Sequence, residues 1–208
     1  MPEHDKPFVA VSLPTPEGMV HAHHYVVVNS AFAVVLVGTA TKSFASPALN
    51  LYSRLAESFK KDGVTALQVQ LCNAEKLEEA IHDVRHGIQY LCGLGSKTVM
   101  LVGYDRGALA VLHAAAEEPC VLGVVAIAPG APTDALNINR PLLVVHGEND
   151  HITGAAAAQK VLDRAVESKE LRVIHGAGHS LEESAEDLHQ IIHQWLTNLR
   201  GGDHSQAA

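Results

Sequence analysis

The most informative stretch of the chain reads Gly103-Tyr104-Asp105-Arg106-Gly107. The apolar run Thr98–Val102 precedes it and the apolar stretch Ala108–Ala116 follows it, so a strand ends here and a helix begins at once. This layout is typical of a nucleophile elbow, a sharp turn that exposes its central side chain. The glycines flank the centre because side chains there would collide with the neighbouring strand and helix. The central residue is Asp105, where most such elbows carry serine, so this substitution governs any prediction of function.

Length and composition predict a single soluble domain. The 208 residues are 47% hydrophobic and 18% charged, enough for one core and short for two. The net charge of −8 argues against nucleic-acid binding, and no apolar run nears the roughly 20 residues of a membrane helix. The chain starts without a secretory signal, and Cys72, Cys92 and Cys120 have the odd number and wide spacing of reduced thiols. We predict a cytoplasmic protein with one domain over residues 8–199, a disordered N-terminus 1–7 and a disordered tail 200–208.

Apolar runs alternate with helical patterns along the chain, which predicts an α/β fold with helices on both faces of a sheet. Phe8–Leu13 and His21–Val28 flank a turn rich in proline and glycine, so they are expected to form an antiparallel hairpin. Continuous apolar runs are typical of parallel strands that are covered on both faces. Six such runs follow the hairpin: Ala33–Val37, Thr65–Leu71, Thr98–Val102, Val121–Ala128, Leu142–His146 and Leu171–His175.

Five helices are predicted between and after these strands. Ser46 followed by Pro47 has the pattern of an N-cap with a first-turn proline. Ser180 and Glu183 have the spacing of a capping box at the start of the last helix. That helix carries an apolar stripe with Trp195, which is more typical of core packing than of cofactor contact. The predicted helices span residues 46–63, 74–91, 106–117, 154–168 and 180–199.

Three polar residues follow strand ends in an ordered set. Asp105 lies at the elbow, Asp150 follows the run Leu142–His146, and His179 follows the run Leu171–His175. Ligands of an open α/β sheet bind at the carboxyl ends of its strands. The order nucleophile, acid, base is that of a triad in which the imidazole moves protons and the acid fixes its tautomer. Each motif is weak alone, since an aspartate after a strand is usually a helix cap. Together, in this order and at strand ends, they indicate an α/β fold of the kind that carries such a triad.

On these motifs the chain resembles small, lidless α/β-hydrolases of the dienelactone-hydrolase-like kind, over residues 8–199. The resemblance rests on GYDRG at 103–107, PLLVVHGEND at 141–150 and GAGHS at 176–180. It implies the α/β-hydrolase fold, with an eight-stranded, mostly parallel sheet and residues 105, 150 and 179 in the triad. Residues 129–140, where many relatives insert a lid, are too few for a cap domain, so we expect a shallow, open site.

The chain departs from the family pattern at the nucleophile. Aspartate elbows are similar to those of haloalkane and haloacid dehalogenases and of epoxide hydrolases. The Asp105-Arg106 pair resembles fluoroacetate dehalogenases, in which that arginine contacts the substrate carboxylate. Those enzymes also use halide or epoxide donors from a cap and a second arginine, and this chain has neither.

Two loops near the expected site also differ from the family pattern. The His-Gly that usually ends the third strand and begins the oxyanion hole is Val37-Gly38-Thr39 here. The Gly/Ser-rich loop after the fourth strand is reduced to Gln70-Leu-Cys-Asn73. Backbone N–H groups of the first loop and of Arg106 still offer an oxyanion hole.

We therefore predict a hydrolase of a small ester, lactone or carbon–halogen substrate. Asp105 acts as the nucleophile or as a carboxylate that polarises water, His179 as the general base and Asp150 as its orienting acid. No metal or organic cofactor is required, and the expected partner is a small-molecule substrate, with no nucleic acid and no membrane. The predicted substrate or oxyanion contacts are Thr39, Tyr104 and Arg106.

The alternative is a catalytically inactive binding or scaffold protein on the same fold. An aspartate on a strained elbow near His179 would then form a structural ion pair, and the partner would be a protein. Three other candidates for chemistry are weaker. The histidines of segment 21–24 lack a cysteine or carboxylate to complete a metal site, and Cys72 is typical of a small buried hydrophobe. Glu148 and His151 flank Asp150 as alternative acid or cap residues.

Overall fold

One eight-stranded sheet runs through the chain, and this computed structural model describes residues 6–16, 18–132, 136–166 and 168–202. The strands lie in the order β1-β2-β4-β3-β5-β6-β7-β8. β2 pairs antiparallel with β1 and β4, and all other pairs are parallel, so the predicted hairpin and mostly parallel sheet are confirmed. The strands are β1 (Val9–Thr15), β2 (Gly18–Tyr25), β3 (Phe32–Thr41), β4 (Thr65–Leu71), β5 (Thr98–Tyr104), β6 (Val121–Ile127), β7 (Leu142–Gly147) and β8 (Lys169–Ile174).

Helices cover both faces of the sheet. α1 and α5 pack on one face, while α2, α3 and α4 pack on the other. Along β3, Val34 and Leu36 join the core under α1 and α5, and the alternating Val35 and Val37 join the opposite core. The strand reads as a continuous apolar run because both of its faces are buried. The helices are α1 (Pro47–Lys61), α2 (Leu77–Gly93), α3 (Arg106–Glu117), α4 (Ala155–Leu162) and α5 (Ala185–Gly201).

The fold has no cap domain over the carboxyl ends of the strands. The connection from β6 to β7 contains no helix in its described residues, 128–132 and 136–141. Within this connection, Ile138 forms an isolated parallel bridge with Ala165, in the segment between α4 and β8. None of the helices in the described ranges combines the length and apolarity that a membrane span requires.

The last helix begins later than the sequence predicts. α5 starts at Ala185 with Ser184 as its N-cap residue, and a 3₁₀ turn over Glu182–Ser184 precedes it. The predicted capping box of Ser180 with Glu183 is therefore wrong. Glu183 instead accepts a hydrogen bond from the Gly178 N–H (3.3 Å), so its side chain stabilises the loop before the helix.

Other helix boundaries also differ from the predicted ones, and α2 runs from Leu77 to Gly93 where the sequence predicts 74–91. Ser46 makes no capping bond to the first turn of α1, where residues 48–50 have positive φ. Its hydroxyl accepts the Tyr52 N–H instead (2.9 Å), where the regular helix begins. α4 ends at Leu162 rather than at residue 168. α5 continues to Gly201, past the predicted start of the tail, while residues 1–5 and 203–208 of the two predicted disordered ends lie outside the described residues.

Candidate active site

Asp105 lies on a strained turn between β5 and α3. Its backbone has φ of 52° and ψ of −111°, a combination that non-glycine residues rarely adopt. The Asp105 N–H donates to the Ile127 carbonyl (2.9 Å), and the Asp105 carbonyl accepts the Ala108 N–H (3.1 Å) as the helix starts. Such a conformation costs about 1–3 kcal/mol and is typical of functional sites. The predicted strand–turn–helix elbow is confirmed.

The elbow glycines are required because backbone approaches them closely. A Cβ atom on Gly103 would lie 2.6 Å from the Ala108 Cα atom and closer still to the Gly107 carbonyl. A Cβ atom on Gly107 would lie 2.6 Å from the carbonyl oxygen of Val37 in β3. The elbow therefore packs directly against this neighbouring strand, and the contact brings the residues that follow Val37 in β3 to Asp105.

Thr39 holds one oxygen of the elbow carboxylate. The pairing of β3 with β4 shifts between Val37 and Thr41, and such an irregularity redirects side chains at the end of a strand. The Thr39 hydroxyl donates to Oδ2 of Asp105 at 2.5 Å. Within the described ranges, Oδ1 of Asp105 has no hydrogen bond. One oxygen of a half-buried carboxylate is therefore fixed, and the other is available for chemistry.

Asp150 is a buried carboxylate with a full set of donors. Its Oδ1 accepts the N–H groups of Ile152 (2.8 Å) and Thr153 (3.1 Å), and its Oδ2 accepts the Thr153 hydroxyl (2.7 Å). The Nδ1–H of His179 donates to the same Oδ2 at 2.8 Å. Burial alone would raise the pKa of Asp150, but the hydrogen bonds from His179 and Thr153 lower that pKa well below its ordinary value. Since an ionised carboxylate accepts hydrogen bonds and donates none, the proton of the neutral His179 imidazole lies on Nδ1. Its Nε2 is then unprotonated and able to accept a proton.

The loop that carries His179 is held by the end of β7. The Asn149 N–H donates to the Ala177 carbonyl (2.9 Å). A Cβ atom on Gly147 would lie 2.5 Å from that same carbonyl oxygen, so only glycine permits the approach. The acid and the base thus come from adjacent parallel strands whose carboxyl ends are fixed to each other.

Asp150 is expected to make folding stability fall in acid. A carboxyl with a lowered folded pKa contributes stability above its unfolded pKa of about 3.9, and this stability is lost as the pH falls below that value. Asp150→Asn should therefore flatten the dependence of the unfolding free energy on pH between about pH 5 and about pH 3. Urea unfolding across this range measures it. The same slope in Asp150→Asn as in the wild type and in an Asp163→Asn control, at an exposed site on the surface, would contradict this.

Tyr104 lies against the imidazole of His179. Its ring is tilted against the His179 ring with 5.2 Å between centroids, and the residue is 8% exposed. Burial, followed by the charges of Asp105, Asp150 and Glu182, raises the pKa of Tyr104 to about 12. The hydroxyl therefore keeps its proton, and the ring supports His179 beside the elbow. Its predicted contact with substrate stays a prediction.

The Arg106 side chain points away from the elbow carboxylate. Its exposed guanidinium forms an ion pair with Glu75, in the loop before α2. Its backbone N–H lies in the first turn of α3, where N–H groups lack intrahelical partners, so it remains a candidate oxyanion donor. Its predicted contact with an anionic substrate stays a prediction.

The structure brings some of the predicted site residues together and leaves others apart. Thr39 contacts Asp105, and Asp150 contacts His179, but no hydrogen bond or ion pair joins Asp105 to His179 in the described residues. Sequence reasoning missed His146, the penultimate residue of β7, whose Nε2 lies 3.5 Å from Oδ2 of Asp150. The signal was the polar residue inside the apolar run before Gly147.

The other candidates have structural partners. The Cys72 thiol donates to the Met19 carbonyl (3.4 Å), and burial raises its pKa to about 11. The His23 ring is stacked between two phenylalanine rings, and the His24 ring is hydrogen-bonded to the hydroxyl groups of Tyr90 and Thr65. The described part of the chain contains no group of three histidine, cysteine or acidic side chains that could hold a metal ion.

Sequence comparison agrees with this geometry. The model of the dienelactone hydrolase family matches residues 18–194. The chain belongs to the dienelactone hydrolase family. No curated protein sequence matches it. This membership assigns the protein to the hydrolases and supports small esters or lactones as the substrate class.

Several solved structures are similar in fold to this dienelactone hydrolase family member. Est1E from Butyrivibrio proteoclasticus has a TM-score of 0.79 at 14% identity and covers 92% of this chain and 99% of its own. The dienelactone hydrolase from Anabaena variabilis has a TM-score of 0.74 at 22% identity, and the match covers 92% of this chain and 97% of that protein. XC6422 from Xanthomonas campestris, a serine hydrolase without a lid, has a TM-score of 0.72 at 19% identity, with 95% and 94% covered. At these identities the likeness establishes the fold.

Proposed function

We propose that this dienelactone hydrolase family member hydrolyses a small ester, lactone or carbon–halogen substrate, with Asp105 as nucleophile, His179 as general base and Asp150 as its orienting acid. The observation that carries the proposal is the Asp105 carboxylate on a strained elbow, with one oxygen held by Thr39 and the other without a partner in the described residues. The His179 ring, which is hydrogen-bonded to Asp150, lies against the ring of Tyr104, the residue next to Asp105 in the chain.

A carboxylate nucleophile restricts which bond is broken. If Asp105 attacked the acyl carbon of an ester, the tetrahedral intermediate would expel the carboxylate again, because its conjugate acid has a pKa of about 3.9. An alkoxide, whose conjugate acid is close to water at about 15.7, is a much poorer leaving group. Productive attack therefore occurs at a saturated carbon. There the alkyl C–O bond of an ester or lactone, or a carbon–halogen bond, breaks and releases a carboxylate or a halide.

His179 serves the second step, in which the alkyl ester on Asp105 is hydrolysed. Its Nε2 takes a proton from water, and the resulting hydroxide attacks the Cγ atom of Asp105. The backbone N–H of Arg106 lies next in the chain and is suited to stabilise the oxyanion. The alcohol leaves with the proton from His179, and the Asp105 carboxylic acid then releases its own proton to solvent, which restores the carboxylate. For cleavage at an acyl carbon, Asp105 would instead polarise a water molecule, and no ester would form.

Trapping the alkyl ester tests the proposal. In His179→Ala, alkylation of Asp105 proceeds but hydrolysis does not, so an adduct should accumulate after incubation with chloroacetate or γ-butyrolactone. Intact mass and peptide mapping should locate one added alkyl group on the peptide that contains Asp105, in stoichiometric amount. The wild type should carry none at steady state.

The double variant Asp105→Asn/His179→Ala is the matched control, because it keeps every cysteine that chloroacetate could alkylate. An adduct of equal size in this control would assign the modification to another side chain. If the wild type turns over a probe that leaves no adduct on His179→Ala, covalent catalysis by Asp105 is wrong, and the water-polarising role is favoured.

A second candidate function is an inactive binding or scaffold protein. The observation that favours it is the pairing of the polar groups at the elbow, Asp105 with Thr39 and Arg106 with Glu75. The structural ion pair of Asp105 with His179 that the sequence predicts for such a protein is absent from the described residues, where His179 pairs with Asp150. Its partner would be a protein. We also propose a cytoplasmic location, which is supported by three free cysteines, two of which lie only 3.6 Å apart without a disulfide.

A further inference from the structure

His146 is a buried imidazole whose presence the triad does not explain. It lies near the carboxyl end of β7 and is 1% exposed. Neither of its ring nitrogens has a hydrogen-bond partner in the described part of the chain. A buried polar group without a partner costs about 1–3 kcal/mol, so such groups are rare outside functional sites.

The imidazole of His146 faces the acid of the site. Its Nε2 lies 3.5 Å from Oδ2 of Asp150, the oxygen that accepts the Nδ1–H of His179 at 2.8 Å. The Asp150 side chain has no solvent-exposed surface, so water does not compete for that oxygen. Two imidazoles therefore converge on one carboxylate oxygen that also accepts the Thr153 hydroxyl (2.7 Å), and the His146 nitrogen (3.5 Å) lies 0.7 Å farther from it than the His179 nitrogen (2.8 Å).

The environment of His146 favours its neutral form with the proton on Nε2. Burial lowers the pKa of His146, the Asp150 charge opposes this effect, and His179 adds to it. A carboxylate accepts hydrogen bonds only, so the nitrogen that faces it carries the proton. A small closing movement would convert the 3.5 Å approach into a further hydrogen bond to Oδ2 of Asp150, beside those from His179 and the Thr153 hydroxyl.

We infer that His146 is a positioning residue that acts on the base through the acid: its Nε2–H faces Oδ2 of Asp150 and shares the negative charge that this oxygen offers to His179. This inference rests on the proposed function, in which His179 must be unprotonated to activate water. An additional donor at this oxygen of Asp150 weakens the pull of the carboxylate on the His179 proton. Without that donor, His179 should retain its proton to higher pH.

Two substitutions separate the donor from the shape of the side chain. The amide nitrogen of Gln reaches the position of Nε2, whereas the amide nitrogen of Asn reaches only that of Nδ1. His146→Gln should therefore preserve the behaviour of His179, while His146→Asn and the apolar His146→Leu should not. His151→Leu is the control, because this exposed histidine is next to Asp150 in the chain.

The measurement is an NMR titration of histidine-labelled protein, with the His179 signal identified by its loss in His179→Ala. In His146→Asn and His146→Leu the midpoint of the His179 titration should rise by about half a pH unit or more. The wild type, His146→Gln and His151→Leu should share one midpoint. The other ionisable groups near His179, which these variants leave unchanged, are Tyr104, Asp105, Asp150, Glu182 and Glu183.

An equal midpoint in all variants, or an equal rise in His146→Gln and His146→Asn, would overturn the inference. If His146→Leu does not fold, the two amides still decide the question. The titration needs no substrate, so its outcome is independent of whether Asp105 forms an ester. Where a substrate is turned over, the acid limb of kcat should move to higher pH in His146→Asn while KM stays within about twofold.

Discussion

Asp105→Asn should lower the turnover of a small lactone or haloacid by about 1000-fold or more. The carboxamide lacks the charge of the carboxylate and cannot attack carbon, while its size and shape are nearly the same. Asparagine also tolerates the positive φ of 52° at this position, so the elbow should stay folded. The measurement is product release under saturating substrate, with the free energy of unfolding as a check on the fold.

The control for this prediction is Asp163→Asn, the same change on an exposed carboxylate after α4. It should leave kcat within about twofold of the wild type. Turnover in Asp105→Asn equal to that of the wild type would rule out the nucleophile. Absence of turnover in both proteins, over esters, lactones and haloacids, would favour the binding or scaffold protein.

Gly103→Ala should destabilise the protein by about 3 kcal/mol or more. The new Cβ atom would lie 2.6 Å from the Ala108 Cα atom and closer still to the Gly107 carbonyl, and both obstacles are backbone that is fixed by β5 and α3. Relief requires the helix to move off the strand. Since domains are stable by only about 5–15 kcal/mol, this loss is a large share of the total. Urea unfolding of both proteins measures it.

Gly93→Ala is the matched control, because the Cβ atom added at this last residue of α2 meets no atom within 4 Å. It should change the unfolding free energy by less than about 1 kcal/mol. A loss in Gly103→Ala as small as in this control would mean that the elbow is not closely packed. A loss of activity without a loss of stability in Gly103→Ala would instead mean that this glycine is needed to orient the Asp105 side chain.

The sheet and the acid–base pair could be predicted because the sequence encodes them locally. Val34–Val37 reads as a parallel strand because both faces are apolar, and Asp150 and His179 each follow such a run. The Thr39 bond could not be predicted in detail, since it depends on the irregular pairing of β3 with β4. The ion pair of Arg106 with Glu75 joins residues 31 positions apart, which no spacing indicates.

His146 was missed for a related reason. Inside an apolar run it reads as the polar end of a strand, and only the packing of β7 against the His179 loop buries it beside Asp150. The start of α5 was wrong because Glu183 bonds to Gly178 instead of closing the predicted capping box. These errors fall where side chains serve the site rather than the helix, as expected when function overrides local preference.

The Thr39 bond makes the two oxygens of Asp105 unequal over successive turnovers. In the proposed chemistry, the oxygen that attacks carbon leaves in the product alcohol, and water supplies its replacement. Because Thr39 holds Oδ2, the oxygen that is transferred to the product in each cycle is Oδ1. The enzyme would therefore renew one atom of its own side chain from solvent at every turnover, while the atom beside it dates from the synthesis of the chain.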